Sequence, residues 1–178
     1  VAVTWQPRAQ HSEEPRTRLE ADRIGTAVEK DGLHVAEVTE TEAKRVARAP
    51  FTTSTLQQSA SSRLGYSPSN TMRIAQKLYE AGHITYMRTD STSISSLAQG
   101  EALAVIKKMY GENYAEGHIY KTKSKSAQEA HEAIRPTHAS HQRAGIADEQ
   151  GKLYELIWRR FISSQMKDAE VLKTKITV

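Results

Sequence analysis

The 178 residues, 38% hydrophobic and 26% charged, have the composition of an ordinary soluble protein and suffice for one sizeable domain or two small ones. No apolar run approaches the roughly 20 residues that span a bilayer, and Val1-Ala2-Val3-Thr4-Trp5 has neither an initiator Met nor a signal-peptide shape, so we expect a segment of a longer cytoplasmic chain with no membrane partner. The lack of cysteine excludes disulfides and cysteine-based zinc sites, and the net charge of +4 is compatible with a polyanionic partner without requiring one.

Val1, Val3 and Trp5 alternate at the period of a β-strand, and Gln6 to Pro15 is polar and turn-prone. A short helix is expected around Glu20 to Glu29, followed by a second β-like run from Leu33 to Val38. Helical periodicity takes over at Ala49. Thr53 or Ser54 is the expected N-cap of a helix that runs to Leu64 and stops at Gly65. Ser67 then caps a helix with Pro68 in its first turn, and Gly82 marks its end. Ile84 to Arg88 reads as a short strand, which completes the order helix, turn, helix, strand of a winged helix.

Ser95 or Ser96 opens the next helix, whose apolar positions include Leu97, Ala102, Val105, Ile106 and Met109 before Gly111 ends it. A basic loop holds Lys121, Lys123 and Lys125, most simply as a solvated segment. Further on we expect a short helix from Ala127 to Ile134 ahead of Pro136, and a long one from Asp148 to about Gln165 with Leu153, Ile157 and Phe161 on one face. Val171 to Val178 alternates again, so strands from the two ends can pair around an inserted helical segment.

Chemistry concentrates in Tyr86-Met87-Arg88-Thr89-Asp90-Ser91. On a strand, Tyr86 and Arg88 project to one face and can share a phosphate. A phenol holds its proton at neutral pH, so attack on phosphorus requires help with deprotonation and a cation for the developing charge; a guanidinium supplies the latter through paired hydrogen bonds. Exchange of one phosphodiester for another roughly conserves free energy, so no nucleotide is needed, and the chain has no phosphate-binding loop of the known kinds. His131 and Arg135, four residues apart, would share one face of a helix. His131-Glu132 is no zinc-protease motif, because position 135 is Arg rather than His. Ser54 and Gln57 fall at a helix start, where backbone N–H groups favour anions.

Three blocks, Ala49-Pro50-Phe51-Thr52-Thr53-Ser54-Thr55-Leu56-Gln57-Gln58, Leu78 to Ser91, and Ala130-His131-Glu132-Ala133-Ile134-Arg135-Pro136-Thr137, closely resemble the bacterial type IA DNA topoisomerases in order and spacing. The resemblance implies a mixed α/β fold in which a mainly helical, winged-helix (CAP-like) domain over residues 49–164 carries the catalytic tyrosine and is inserted into part of a β-rich arch domain, residues 1–48 and 165–178. It implies that Tyr86 forms a transient 5′-phosphotyrosyl link on single-stranded DNA, that Arg88 contacts the scissile phosphate, and that His131 and Arg135 lie near the active site. Ser54 and Gln57 join Arg88 and Arg135 as the expected DNA contacts. The family's Mg2+ belongs to a separate toprim domain, and its Asp-x-Asp signature is not in this sequence, so the chain alone is expected to be inactive. The implied setting is a monomeric enzyme in the cytoplasm, associated with the nucleoid, acting with the other domains of its own polypeptide to relax negative supercoils. The rival reading is a module that holds DNA by its backbone and does no chemistry. Tyrosine recombinases place their His-x-x-Arg element before the tyrosine, and here His131 and Arg135 follow it.

Overall fold

A computed structural model describes residues 17–32, 35–120 and 131–177. The strand expected from Val1 to Trp5, the polar stretch to Pro15, the lysines at 121, 123 and 125, and the first part of the helix expected from Ala127 lie outside the described residues. The chain divides into two units, one made of residues 1–43 and 171–178 and the other of residues 44–170.

The first unit holds helix α1 (Arg18–Asp31) and most of two strands, β1 (Glu37–Arg45) and β2 (Ala169–Thr177). Helix α1 starts where a capping box permits, with Thr17 and Glu20 each accepting from the other's backbone N–H. The strands pair as a two-stranded sheet. Ala36 donates to the Thr177 carbonyl at 2.8 Å and Thr174 bonds Glu40 at 3.4 Å, so the numbering falls on one strand as it rises on the other and the pairing is antiparallel. The strand expected at Leu33 to Val38 is found at Glu37–Arg45. Nearly every residue of both strands is exposed, so no buried face imposes alternation on Glu37 to Arg45 and the sequence gives no period to read.

The second unit is built from α2 (Thr53–Leu64), α3 (Pro68–Glu80), α4 (Ser96–Tyr110), a single 3₁₀ turn at Glu112–Tyr114, and α5 (Asp148–Ser164). Helix α5 is the hub and packs against α2, α3 and α4. It buries Leu153, Tyr154, Ile157, Phe161 and Ile162 among Leu56, Ala60, Ile74, Leu78, Ala102 and Ile106. Side-chain oxygens of Thr52, Ser67 and Ser95 accept from the third residue of α2, α3 and α4 respectively, so each helix begins at a cap written into the sequence. Between α2 and α3 the chain reverses through Gly65, whose φ of 71° is left-handed; the Tyr66 N–H reaches back to the Ala60 carbonyl at 3.3 Å and closes the helix end.

The segment after α3 departs from expectation. Only Ile84 forms a β-bridge, to Pro136, and Tyr86 to Arg88 is not a strand. Its backbone polar groups find partners elsewhere: Thr85 donates to the Arg135 carbonyl at 2.9 Å, and the Met87 carbonyl accepts from the Thr53 hydroxyl at 2.7 Å. With those groups satisfied by a loop and a side chain, no neighbouring strand is needed.

The helix expected up to Ile134 is likewise not found over residues 131–134. Ala133 donates to the Ser93 carbonyl and Ile134 to the Phe51 carbonyl, both at 2.8 Å, so the amides that a helix would turn inward are spent on two other segments. Pro136 also disfavours helical geometry at Arg135.

Candidate active site

Tyr86 is held from both sides while its own ring stays out. On its N-terminal side the Thr85 hydroxyl donates to the Ala133 carbonyl at 2.7 Å and accepts from the Arg135 N–H at 3.0 Å. On its C-terminal side Met87 is buried and the Thr89 N–H donates to the Thr53 hydroxyl at 2.9 Å. Between these anchors Tyr86 is 43% exposed, and its ring meets the Tyr79 ring edge-on at a centroid distance of 5.3 Å. Tyr79 comes from α3 and is itself 40% exposed. A large aromatic left half in water by a segment pinned this closely is not filling the core.

Two residues on, Arg88 enters a cleft of about 500 Å³ lined by Thr53, Ser54, Gln57, Thr89, Asp90 and His131. The N-terminal turn of α2 therefore opens into the same space as a guanidinium and an imidazole, and a helix start favours negative charge. Among the described residues Arg88 and His131 have no ion pair or hydrogen bond inside the protein, so both are free to meet an anion. Four residues marked out in the sequence, Ser54, Gln57, Arg88 and His131, thus meet in one cleft.

Arg135 does not reach it. Its Nη2 is 2.6 Å from Glu132 Oε2 and its Nη1 donates to the Pro136 carbonyl at 2.9 Å, while Glu132 Oε1 accepts from the Ser95 N–H at 2.7 Å. Burial acts to raise the Glu132 pKa, but the Arg135 charge and the hydrogen bonds from Ser95 and Arg135 outweigh it and hold the carboxyl below the usual value. Arg135 therefore works as a brace that ties the segment 131–136 to the start of α4. The shared helix face expected for His131 and Arg135 does not exist, since residues 131–134 are not helical.

The sequence reading missed Thr53 as a clamp, Thr89 and Asp90 as cleft walls, and Tyr79 as the neighbour of Tyr86. Glu132 and Arg135 at a spacing of three offered a sign of their pairing; nothing in the sequence placed Thr53 beside Met87, 34 positions away. Among the described residues no group of three or more His, Asp or Glu side chains is placed to hold a metal ion.

The family model for DNA topoisomerase matches residues 4–178. The chain belongs to the DNA topoisomerase family. That match takes in Tyr86, the cleft and the Glu132–Arg135 brace. Three relatives similar to this chain are each named DNA topoisomerase 1: that of Streptomyces coelicolor is 47% identical over 84% of this chain and 16% of its own length, that of Helicobacter pylori 47% over 84% and 22%, and that of Xylella fastidiosa 44% over 90% and 22%. The structure of full-length topoisomerase I from Thermotoga maritima is similar with a TM-score of 0.69 and 41% identity, covering 85% of this chain and 26% of the other. The chain thus spans about a fifth of the curated relatives it matches. Its mixed architecture of helices and a two-stranded sheet is that of part of a topoisomerase I. No described helix is long and apolar enough to cross a membrane.

Proposed function

We propose that this chain is the nucleophile-bearing part of a type IA topoisomerase, and that Tyr86 breaks one strand of DNA by transesterification. The Tyr86 oxygen attacks a backbone phosphorus and loses its proton, a 5′-phosphotyrosyl bond forms, and the bond to the 3′-oxygen breaks, leaving a 3′-hydroxyl once that oxygen is protonated. Attack by the same hydroxyl reverses the exchange. One phosphoester replaces another at each step, so the strand can be passed and resealed without ATP, and negative supercoils relax.

The observation that carries this reading is the exposed Tyr86 two residues from Arg88 in a cleft that also holds His131 and the start of α2. Arg88 offers paired donors to the non-bridging oxygens and stabilises the charge that develops on them. His131 offers a ring N–H to the phosphate or to the departing 3′-oxygen. Ser54 and Gln57 add neutral donors at the start of α2 for the adjoining backbone. The proposed reaction also calls on a Mg2+ ion. In this reading the ion belongs to a toprim domain elsewhere in the polypeptide and supplies charge neutralisation there, and without that domain this chain is inactive. The succession of α2, a tight turn and α3 suits docking on a DNA backbone. The enzyme acts as a monomer on single-stranded DNA in the cytoplasm, at the nucleoid.

The test uses the whole topoisomerase chain with magnesium and an end-labelled single strand, run on a denaturing gel beside Tyr86→Phe. A labelled protein band in the wild type and none in the variant is the expected result, and the position of the label fixes the 5′ linkage. Bands of equal strength remove Tyr86 from this role, and intact DNA binding with no band in either points to a binding module.

A further inference from the structure

A cavity of about 770 Å³ in the second unit lies at the opposite end of α2 from the Arg88 cleft and takes its walls mainly from the C-terminal parts of α2 and α5 and from residues 45–48 and 166–170. Six cations line it: Arg45, Arg48, Arg63, Arg159, Arg160 and Lys167. Only Asp168 and Glu170 oppose them, and both are engaged. Asp168 accepts from the Ala47 N–H at 3.0 Å, and Glu170 pairs with Lys167 at 3.6 Å. Arg159 is taken by Glu155 at 2.6 Å. Arg45, Arg48 and Arg63 have no ion pair or side-chain hydrogen bond among the described residues.

Arg160 is the half-buried member, with its guanidinium 4.4 Å above the Phe51 ring and only long contacts, 3.5 Å, to the Ala49 carbonyl and the Ser59 hydroxyl. Burial, and then the charges of Arg48 and Arg63, hold its pKa below the usual guanidinium value. Those two arginines are therefore close enough to repel it. Arg63 also sits in the last turn of α2, where it complements the helix dipole, but that accounts for one cation of the group. Like charges gathered in a concave wall with no carboxylate to spare are costly to keep unless an anion relieves them.

We propose that this cavity is a second nucleic-acid site, where Arg48, Arg63 and Arg160 take consecutive backbone phosphates of DNA at a distance from the strand being cut. The ligand is a phosphodiester backbone rather than a lone anion, because the three arginines come from separate segments, Arg48 from residues 45–48, Arg63 from α2 and Arg160 from α5, and so spread their donors over the wall. The inference rests on the DNA-cutting reading only for the identity of the polyanion.

The test is binding of fluorescent single-stranded and duplex oligonucleotides of equal length by the whole topoisomerase chain without magnesium, across a salt series. Arg48→Gln with Arg63→Gln should weaken binding about five- to tenfold near physiological salt and lower the slope of log affinity against log salt by about 1.4 on the single strand, since each lost phosphate contact removes about 0.7. Arg48→Lys with Arg63→Lys should retain most of the wild-type affinity and slope. A fall on the single strand alone assigns the cavity to the cut strand or its continuation, and a fall on duplex alone to a flanking or passing duplex. Unchanged affinity and slope on both, in variants that melt like the wild type, overturn the proposal. Because this readout needs no cleavage, its failure is distinct from failure of the Tyr86 assignment, which appears on the covalent gel.

Discussion

Thr53 and Thr89 clasp each other: the Thr53 N–H donates to the Thr89 carbonyl at 2.9 Å, its hydroxyl lies 3.1 Å from the same carbonyl, and the Thr89 N–H donates to that hydroxyl at 2.9 Å. The same hydroxyl gives its proton to the Met87 carbonyl at 2.7 Å. One side chain at the start of α2 thus fixes the backbone on either side of Arg88, and through Met87 it also limits where Tyr86 can swing. In the proposed reaction a nucleophile and a phosphate ligand must be held within a fraction of an ångström of their working positions, so there this clamp would serve the chemistry as well as the fold.

Thr53→Val keeps the shape and removes the hydroxyl, leaving the Met87 carbonyl and the Thr89 N–H without their partner. The expected cost is about 1–3 kcal/mol of stability, with covalent cleavage slowed by about tenfold or more as Arg88 loosens. Thr53→Ser should behave close to wild type. Thermal melting together with single-turnover cleavage checks this, and a valine variant that matches wild type in both would show that the clamp does nothing.

The Glu132–Arg135 brace makes a prediction in acid. The folded Glu132 carboxyl titrates below its unfolded value, so the stability it contributes is fully present above the ordinary carboxylate range and is lost as pH falls through the lowered folded value. Denaturant unfolding followed from neutral pH downward should show a steeper acid loss in the wild type than in Glu132→Gln, whose amide does not titrate. Parallel curves would mean that Arg135 gains nothing from the charge of its partner.

Helices α2 to α4 were legible because each carries its own start signal, with Thr52, Ser67 and Ser95 accepting from the amides they cap and Gly65 turning the chain at the end of α2, and α5 because of its long apolar stripe. Thr52 lies one residue before the expected cap, the usual slippage when several hydroxyls stand in a row. The segments 84–88 and 131–134 were not legible, since their backbone partners, Thr53, Phe51 and Ser93, lie some 30 or more positions away and leave no periodic trace. The site was read in the same uneven way. Arg88, His131, Ser54 and Gln57 share the cleft, whereas Arg135 is drawn off by Glu132, whose spacing of three signals the pair but not that the pairing keeps Arg135 out of the cleft.

Gly65 tests the turn itself. Its φ of 71° is left-handed, and a Cβ built there meets nothing within 4 Å, so the penalty of Gly65→Ala is backbone strain with no steric clash added. A loss of about 1–2 kcal/mol is expected, readable as a lower urea midpoint with an unchanged slope. No change would indicate that the α2–α3 turn relaxes out of the left-handed region.

Tyr154 sets the alkaline limit. It is 1% exposed in α5 and its hydroxyl donates to the His141 carbonyl, an arrangement that suits the protonated phenol and offers nothing to a phenolate. Burial pushes its pKa up to about 12. Since the folded value lies above the unfolded one, the contribution to stability is intact below about pH 10; it then declines as the unfolded chain begins to ionise, and is gone once the pH has risen through the folded value. Tyr154→Phe should lose roughly 1 kcal/mol at neutral pH with the hydrogen bond, and should then hold its stability better than wild type between about pH 10 and 12. The crossing of the two stability curves is the signature to look for, and curves that keep a constant separation through that range would place the phenol in contact with water in the folded state.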